Sequence, residues 1–258
     1  MSIKRAFAVG AHPDDIEFLM AGTLMLLGRQ GYELHYMTLA DGCCGTTQHD
    51  RSTIAGIRAA EAQAAAAQIG AVYHGPLVGD LEIFYEPNTL ARLASVMREV
   101  APEILLVHSP QDYMEDHTCA CRLAVTAAFA RGMPNFPVDP HREPVAQPVT
   151  LYHAQPYGNR TPLGEPVRPG LFVDVTSLTE AKAAMLACHA SQKQWLDESQ
   201  GHDSYIQAMH DLDRQVGAMS GRFEYAEGWR RHLHLGFCGP EDDPLRDALG
   251  EHVLVDES

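Results

Sequence analysis

The 258-residue sequence lacks the long apolar runs and the leader segment that mark membrane and exported proteins. No stretch approaches the ~20 consecutive apolar residues that a membrane-spanning helix needs. Residues 1–9 are briefly basic and then apolar, and they have neither the length nor the small-residue cleavage site of a signal peptide. From these absences we expect a cytoplasmic protein.

The sequence also lacks the paired cysteines of structural zinc sites and redox motifs. Six cysteines are present, but none forms a C-x-x-C pair. Cys119 and Cys121 are two residues apart on a predicted helix, where their side chains point in different directions and would chelate a metal poorly. We therefore expect reduced, unpaired thiols, the usual state in a cytosolic protein.

Positive charge is scarce, because 19 Lys and Arg residues accompany 34 Asp and Glu residues and the formal net charge is −15. A chain this acidic is repelled by phosphate backbones, so we expect no nucleic-acid partner. Part of the acidic excess lies near the end of the sequence. We predict one domain over residues 1–240, which is long enough for a sizeable core, and a frayed acidic tail over residues 241–258.

The first 175 residues alternate short apolar runs with longer helical patterns. The predicted strands cover residues 4–9, 34–39, 104–108, 150–153 and 171–175. The predicted helices cover residues 15–29, 52–69, 88–100 with Asn88 as cap, 117–131 with Asp116 as cap, 177–199 with Ser177 as cap and, more weakly, 201–221. This alternation predicts an α/β fold with a Rossmann-like, mainly parallel sheet and helices on both faces. Five prolines predict an irregular surface segment over residues 132–149.

Side chains that could bind a metal ion follow two of the predicted strands. His12 and Asp15 are three residues apart at the start of a helix, so they can converge on one point. Their nitrogen and oxygen atoms suit Zn²⁺. His117 follows another strand through a polar loop, and parallel strands deliver such loops to one edge of a sheet. We predict these three residues as ligands of zinc, or of another divalent metal such as Fe²⁺.

Asp14 is the neighbour of a predicted ligand and points in another direction. A catalytic zinc keeps one position for water and lowers the pKa of that water to about 7. A carboxylate beside the water can accept its proton and later deliver the proton to a leaving amine. Taken singly, a histidine beside a proline and an Asp-Asp pair at a helix start are ordinary features. Their combination at strand ends predicts amide hydrolysis with Asp14 as the catalytic base.

Two motifs make the chain similar to the PIG-L/LmbE family of zinc-dependent N-deacetylases. They are AHPDD at residues 11–15, after the first strand, and DH at residues 116–117, where a later helix opens. The resemblance covers about residues 3–130 and continues more loosely through residues 226–232. It implies a zinc-dependent amidase that removes an acyl group, acetyl above all, from a small sugar-like or glycoside substrate. It also implies a homo-oligomer.

The resemblance implies roles for individual residues. The metal ligands of the family fall on His12, Asp15 and His117, and its general base falls on Asp14. An Arg-x-x-Glu pattern of the family falls on Arg58, which we predict to hold substrate; an ion pair along the helix is the alternative for this residue.

Two further residues are candidates for the substrate site. Asp80, near a strand end, is predicted to bond a substrate hydroxyl, and otherwise it is a turn residue. Tyr113 precedes the third ligand in the same polar loop, so its phenol could reach the substrate. We therefore predict Asp80 and Tyr113 as substrate-binding residues.

One position departs from the family pattern. Family members commonly read H-P-D-H where this chain reads M-E-D-H, and the first histidine of that motif helps to stabilise the oxyanion. Met114 cannot donate a hydrogen bond, and one such donor contributes about 10²–10³ in rate. We predict that His232 replaces it as a catalytic donor, with Tyr113 and Arg58 as alternatives. The departure bears on whether the substrate is an ordinary N-acetyl sugar.

Other functions remain open at this point. A thiol-conjugate amidase would share all of these residues. A non-haem Fe(II) oxygenase uses two histidines and one carboxylate, but usually on an all-β fold, which the alternating pattern opposes. A nucleotide-binding module would need G-x-G-x-x-G after the first strand, where this chain has a different sequence. A non-catalytic metal-binding protein is another alternative. A purely structural zinc site would be closed by four ligands, and Asp14 beside the predicted ligands argues against this alternative.

Overall fold

A computed structural model of the chain describes residues 3–200 and 204–256, without the side chains of residues 197–200 and 204. Its strands are β1 (Arg5–Gly10), β2 (Glu33–Thr38), β3 (Val72–His74), β4 (Ile104–Val107), β5 (Thr150–Ala154), β6 (Leu171–Asp174), β7 (Ala226–Arg231) and β8 (Val253–Val255). Its α-helices are α1 (Asp15–Leu19), α2 (Ala21–Arg29), α3 (Arg51–Gln68), α4 (Pro87–Val100), α5 (Glu115–Ala130), α6 (Thr179–Leu186), α7 (Ala190–Gln200), α8 (Ser204–Ser220) and α9 (Pro244–Leu249).

The eight strands form one mixed sheet in the order β3-β2-β1-β4-β5-β7-β6-β8. The pairs among β3, β2, β1, β4 and β5 are parallel, and the pairs that join β5, β7, β6 and β8 are antiparallel. Strand β7, which the sequence pattern did not predict, connects the two parts. The predicted α/β fold with a mainly parallel sheet is confirmed.

Alternate residues of the central strands pack into two separate cores. Ala6 and Ala8 of β1 pack with α2, α3 and α6 on one face, whereas Phe7 and Val9 pack with α4 and α5 on the other. This alternation explains why β1 and β4 read as continuous apolar runs, as expected for strands covered by helices on both faces. Within the described residues, no helix combines the length and hydrophobicity that crossing a bilayer requires.

The sheet order places the ends of β1 and β4 side by side. The chain proceeds from β1 outward to β2 and β3, then returns to β4 on the other side of β1. This is a topological switch point, where open α/β sheets bind ligands beyond the carboxyl ends of the strands. The loops that follow β1 and β4 therefore open on the same edge of the sheet.

The predicted helix over residues 15–29 is two helices, α1 and α2, separated at Met20. The first turn of α2 receives its cap from a distant strand. Glu227 of β7 accepts hydrogen bonds from the backbone nitrogens of Gly22 and Thr23 at 2.8 and 2.7 Å. These bonds satisfy amides that an interrupted helix would otherwise leave unpaired. The interruption thus depends on a contact that local periodicity does not reveal.

Three predicted caps differ from the structure. Helix α4 begins one residue earlier than predicted, at Pro87, and its cap is Glu86 rather than Asn88. Helix α5 begins at Glu115 with Met114 at the cap position, so Asp116 lies within the first turn. The side chain of Asp116 is instead directed to a histidine of the candidate site.

The third difference concerns Ser177, the predicted cap of a helix over residues 177–199. Ser177 lies inside a 3₁₀ turn at Thr176–Leu178, and Leu178 is the cap of α6. The predicted helix is also interrupted between α6 and α7. In that break the buried His189 places Nε2 3.2 Å from Glu17 Oε1, a charged partner on α1. The weaker helical pattern that follows is α8, and residues 201–203 lie outside the described residues.

The segment after residue 240 is ordered where the sequence pattern predicted fraying. Helix α9 buries Leu245 and Leu249. Strand β8 pairs with β6 and completes one edge of the sheet. The prediction of a frayed tail is therefore wrong for the described residues. The proline-rich segment over residues 132–149 contains no helix or strand, as predicted.

Candidate active site

Three side chains converge beyond the carboxyl ends of β1 and β4. His12, Asp15 and His117 each offer one ligand atom, and these atoms lie within 4.8 Å of one another. His117 Nε2 is 3.3 Å from Asp15 Oδ1, and His12 Nδ1 is 3.6 Å from Asp15 Oδ2. Two imidazoles and one carboxylate form a donor set that suits zinc and other divalent metals of similar preference.

Each histidine of this set has a carboxylate behind it. His12 Nε2 lies 2.9 Å from Asp116 Oδ2, and His117 Nδ1 lies 3.1 Å from Asp112 Oδ1. A carboxylate that holds one ring nitrogen fixes the tautomer and leaves the other nitrogen for a metal. The residues present therefore fit a divalent metal ion: three side chains can bind it, and two carboxylates hold its histidine ligands.

The electrostatics of the cluster favour a cation at its centre. Burial alone would lower the pKa of His12, but bonds to Asp116 and Asp15 outweigh it and raise the pKa to about 9. Burial likewise opposes protonation of His117, and the carboxylates of Asp15 and Asp112 raise its pKa to about 10. Imidazoles that hold protons this firmly lie in a strongly negative potential, which equally favours a metal ion.

Asp14 lies beside the cluster in an unusual backbone conformation. Its φ is 114°, a region that non-glycine residues rarely adopt and that costs about 1–3 kcal/mol. Its Oδ2 accepts a hydrogen bond of 2.7 Å from the Tyr205 hydroxyl and lies 3.6 Å from Arg58 Nη2. Burial raises the pKa of Asp14, with Arg58 acting in the opposite direction. A buried carboxyl with a raised pKa is suited to accept and return a proton.

Arg58 is turned from its helix toward the site. The side chain is only 3% exposed, and Nη2 donates to the carbonyl oxygen of Pro13 at 2.6 Å. Gly42 makes room for it, because a Cβ there would lie 2.4 Å from Arg58 Cδ. Glu61, the partner in the alternative of an ion pair along the helix, instead accepts from Ser191. The guanidinium is therefore available to the site rather than to the helix surface.

A cavity of about 600 Å³ opens over the cluster. One wall is aromatic: the Phe18 ring lies 5.8 Å from Tyr157 and 5.2 Å from Tyr205, and Tyr157 lies 5.5 Å from Tyr113. Trp195 of α7 also lines the cavity. These rings form a continuous apolar surface that runs from the neighbourhood of Asp14 to the exposed Tyr113 at the mouth.

The other predicted substrate residues occupy different positions. Tyr113 lines the cavity, and its ring meets His117 edge-on at 5.6 Å. Asp80 also lines the cavity, but its two oxygens accept from the backbone nitrogens of Gly42 and Cys44 at 2.7 and 2.8 Å. Asp80 thus fixes the loop that forms the opposite wall, and its contact with a substrate hydroxyl stays a prediction.

His232 lies apart from the other predicted site residues. Its Nδ1 is 2.8 Å from His153 Nε2, and its ring packs edge-on against Phe237. It is not among the residues that line the cavity. It follows β7, whose antiparallel pairing with β5 directs His232 toward the start of β5 and away from the carboxyl ends where the ligands meet. This placement does not support His232 as an oxyanion donor.

Among the described residues, two other groups of side chains have ligand atoms within 4.8 Å of one another. One combines His108 and Asp112 with His117, and His108 has no exposed surface and does not line the cavity. The other combines Cys43, Cys44 and Asp80, whose carboxylate already holds backbone amides. The set of His12, Asp15 and His117 is the one that lines the cavity with all its members.

Three residues near the site had no assigned role in it from the sequence: Asp112 and Asp116 hold the histidines, and Tyr205 holds Asp14. His108, whose place at a strand end made either a contact with the site or packing in the core an expectation, contacts Asp15. Asp116 carried a signal as the neighbour of His117, but the cap pattern gave it another explanation. Tyr205 lies 191 positions after its partner in a weakly helical segment, and nothing local indicated the contact.

Fold and site together define an α/β protein of the Rossmann-like type with a candidate metal centre at its switch point and a buried carboxylate beside it. A family model described as PIG-L, GlcNAc-PI de-N-acetylase, matches residues 7–129. The 4-oxalmesaconate hydratase of Pseudomonas putida is 32% identical over 235 residues, which cover 87% of this chain and 88% of that protein. The chain belongs to the PIG-L family, as the resemblance predicted.

Two deacetylases are also similar to this chain. The diacetylchitobiose deacetylase of Thermococcus kodakarensis is 29% identical over 241 residues, which cover 88% of this chain and 83% of that protein. The structure of N,N'-diacetylchitobiose deacetylase from Pyrococcus horikoshii superposes with a TM-score of 0.75 at 24% identity and covers 90% of this chain and 85% of that one. At this sequence identity, the similarity to the Pyrococcus horikoshii structure shows a shared fold. The chain is thus an enzyme of the PIG-L family, and the relatives described above are deacetylases and a hydratase.

Proposed function

We propose that this chain is a metal-dependent hydrolase that removes an acyl group, acetyl above all, from an amide nitrogen of a small sugar-like molecule. One observation carries the proposal. Asp14 is a buried carboxyl of raised pKa that borders the same cavity as the candidate ligands without belonging to their set. An amide hydrolase needs such a group to move a proton from water to the leaving amine.

His12, Asp15 and His117 would hold the metal. Three protein ligands leave a position for water, as catalytic zinc sites require. A divalent ion held there supplies the Lewis acid that activates water and polarises the carbonyl. Zinc suits the donor set best, and Fe²⁺ would accept the same ligands.

The proton transfer falls to Asp14. Its Oδ2 accepts from Tyr205 and faces Arg58, so Oδ1 is the atom available to take a proton from the attacking water. Breakage of the carbon–nitrogen bond then needs a proton on the amine, and the same carboxyl returns it. Arg58 and Tyr205 keep the carboxylate oriented through both steps.

The oxyanion donor we propose is Tyr113. Met114 borders the cavity and cannot donate, and Arg58 Nη2 is directed to the Pro13 carbonyl and to Asp14 Oδ2. The Tyr113 ring lies against the candidate ligand His117 at the mouth of the cavity, which supports a phenol directed at the developing oxyanion. Such a donor contributes about 10²–10³ in rate.

The cavity favours a neutral, ring-shaped substrate. Its aromatic wall offers flat apolar surface to one face of a ring, while Asp14, Asp80 and Arg58 on other sides offer polar groups to hydroxyls. Among the described residues that line the cavity, Arg58 alone carries a permanent positive charge. This balance supports an N-acylated amino sugar or glycoside, and a thiol conjugate of such a sugar would fit the same groups.

A hydratase is the second candidate. Two observations favour it: the hydratase relative at 32% identity, and Met114 in place of the usual oxyanion donor. A reaction that adds water to a double bond releases no amine and makes other demands on this position. An anionic substrate would meet the carboxylates of Asp14 and Asp80, and the metal ion and the partly engaged guanidinium of Arg58 would have to offset them. The buried Asp14, which can return a proton to a leaving amine, favours amide hydrolysis.

The two reactions are separated by one assay series. Purified, metal-loaded protein is incubated with N-acetylglucosamine, N,N'-diacetylchitobiose and N-acylated thiol conjugates, and released acetate is measured; a parallel sample receives 4-oxalmesaconate, whose consumption is followed. We expect acetate release that requires metal and disappears in Asp14→Asn. Consumption of 4-oxalmesaconate without acetate release from any amide would establish the hydratase instead.

A further inference from the structure

His108 is a buried histidine that contacts two of the three candidate ligands. It follows β4 directly and has no exposed surface. Its Nε2 lies 3.1 Å from Asp15 Oδ2. Its ring stacks on that of His117, with centroids 4.2 Å apart and planes inclined by 14°. It is not among the residues that line the cavity, so these contacts cannot serve substrate directly.

The two oxygens of Asp15 have different surroundings. Oδ2 lies 3.0 Å from the backbone nitrogen of Ala11, 2.7 Å from that of His12 and 3.1 Å from His108 Nε2. Oδ1 lies 3.3 Å from His117 Nε2, on the side of the candidate metal. Three donors therefore hold one oxygen, and the other is left to act as the ligand atom.

The backbone N–H of Ala11 lies 3.0 Å from Asp15 Oδ2 and 3.0 Å from His108 Nε2, so the three groups meet at one point. We assign a proton to His108 Nε2, because Nε2 then donates to Asp15 Oδ2 at 3.1 Å and the Ala11 N–H donates to the same oxygen. His108 Nδ1 has no hydrogen-bond partner among the described residues, so the other tautomer would also bury an unpaired N–H group.

We propose that His108 is a positioning residue for the metal centre. Its Nε2–H group fixes Asp15 so that Oδ1 faces the metal, and its ring fixes the plane of His117. The inference rests on the proposed function only in that His12, Asp15 and His117 bind a metal.

The test compares two variants by metal affinity rather than by activity. His108→Gln keeps an N–H donor near the place of Nε2, whereas His108→Leu removes the donor and keeps the bulk. Zinc affinity of the folded, metal-stripped proteins is measured by competition with a chromophoric chelator. Loss of an outer partner weakens metal binding about 10–100-fold, and we expect this loss in His108→Leu. We expect His108→Gln to retain most of the affinity.

His153→Leu is the matched control. His153 is also a buried histidine at the end of a neighbouring strand, and it bonds the backbone of His108 without touching a candidate ligand. We expect this variant to lose thermal stability but to keep its zinc affinity. If His108→Leu does not fold, His108→Asn replaces it, because its amide reaches the place of Nδ1 rather than that of Nε2.

The outcomes separate this inference from the proposed function. Wild-type affinity in His108→Leu, or equal losses in the Leu and Gln variants, would overturn the positioning role. So would an equal loss of zinc affinity in His153→Leu. If wild-type protein and His117→Ala bind zinc equally weakly, the metal centre itself is wrong, and the proposed function fails with it.

Discussion

The parallel region of the sheet, residues 5–154, carries the candidate ligands and Asp14 between β1 and the start of α1 and in the first turn of α5, the helix after β4. The antiparallel region, residues 171–255, supplies none of these ligands and holds them from outside: α7 places Trp195 in the cavity wall, and α8 brings Tyr205 to Asp14. The reacting groups thus come from short segments with recognisable motifs. Of the groups that orient and enclose them, Asp112 and Asp116 lie beside His117 in the chain, whereas Tyr205 and Trp195 come from distant helices.

The same difference applies to buried charge. In the parallel region the buried side chains of Asp14, Asp15, Arg58 and His117 border one cavity. In the antiparallel region Lys182 lies 2.7 Å from Asp213 and 2.8 Å from Glu227, fully buried and away from that cavity. Burial raises the pKa of Asp213 to about 7, although Lys182 acts against it. Because Glu227 also caps α2, this cluster joins the two regions and serves the fold.

If this division is correct, the largest effect comes from a ligand in the parallel region. His117→Ala should lose most of the bound metal and nearly all activity, because two ligands hold a divalent ion poorly. Elemental analysis of protein purified without added metal gives the comparison. His232→Ala, the same substitution in the antiparallel region, should keep its metal. Full metal retention in His117→Ala would remove that residue from the site.

The next effect comes from Asp14, which separates catalysis from metal binding within the parallel region. Asp14→Asn keeps the shape of the side chain but cannot accept the proton. Its activity should fall by about 10²-fold or more. Metal content, measured in parallel, should stay near that of the wild type. Loss of metal in this variant would show that the roles of Asp14 and Asp15 are exchanged.

A similar effect is expected at the mouth of the cavity. Tyr113→Phe should lower kcat and kcat/KM together by about 10²-fold, because it removes a donor that acts in the transition state. His232→Ala should leave both constants near their wild-type values in a folded, metal-loaded protein. A large loss of kcat in His232→Ala together with normal kinetics in Tyr113→Phe would identify His232 as the oxyanion donor and contradict the assignment to Tyr113.

The melting temperature of the metal-free protein should depend on pH through the parallel region. The pKa values of His12 and His117 are raised to about 9 and 10, above about 6.5 for an unfolded histidine. Their contribution to stability is therefore complete below about pH 6.5 and is lost as the pH rises through 9 and 10.

Calorimetry of metal-free and metal-loaded protein between pH 6 and 10 checks this prediction. The metal-free protein should lose stability across the window relative to the loaded protein, because bound metal replaces the protons. Parallel curves for the two forms would contradict the assignment of the raised pKa values to the metal ligands.

The smallest effect is expected from the antiparallel region. Tyr205→Phe removes one hydrogen bond to Asp14, worth about 1 kcal/mol, so kcat should fall by about fivefold with metal content unchanged. Tyr225→Phe, which removes a phenol bonded to Arg214, is the matched control and should leave kcat unchanged. An effect of Tyr205→Phe as large as that of Asp14→Asn would contradict the division between reacting and supporting groups.

Much of the fold could be predicted because its signals are local. Apolar runs of strand length alternate with helical periodicity, and this pattern correctly indicated a parallel sheet with covered faces. Predicted boundaries failed where a side chain from elsewhere satisfies the backbone. Met20 interrupts a helix because Glu227 caps the next one. The segment after residue 240 forms β8 because β6 offers it an edge.

By itself, the sequence determined that His12, Asp15 and His117 meet, because the direction of parallel strands brings the segments after β1 and β4 to one edge. Only the tertiary structure decided which groups surround them. The contact of Tyr205 with Asp14, the bond of His108 to Asp15 and the displacement of His232 depend on packing between segments far apart in the chain. Periodicity records how one segment folds and carries no information on which distant segment packs against it.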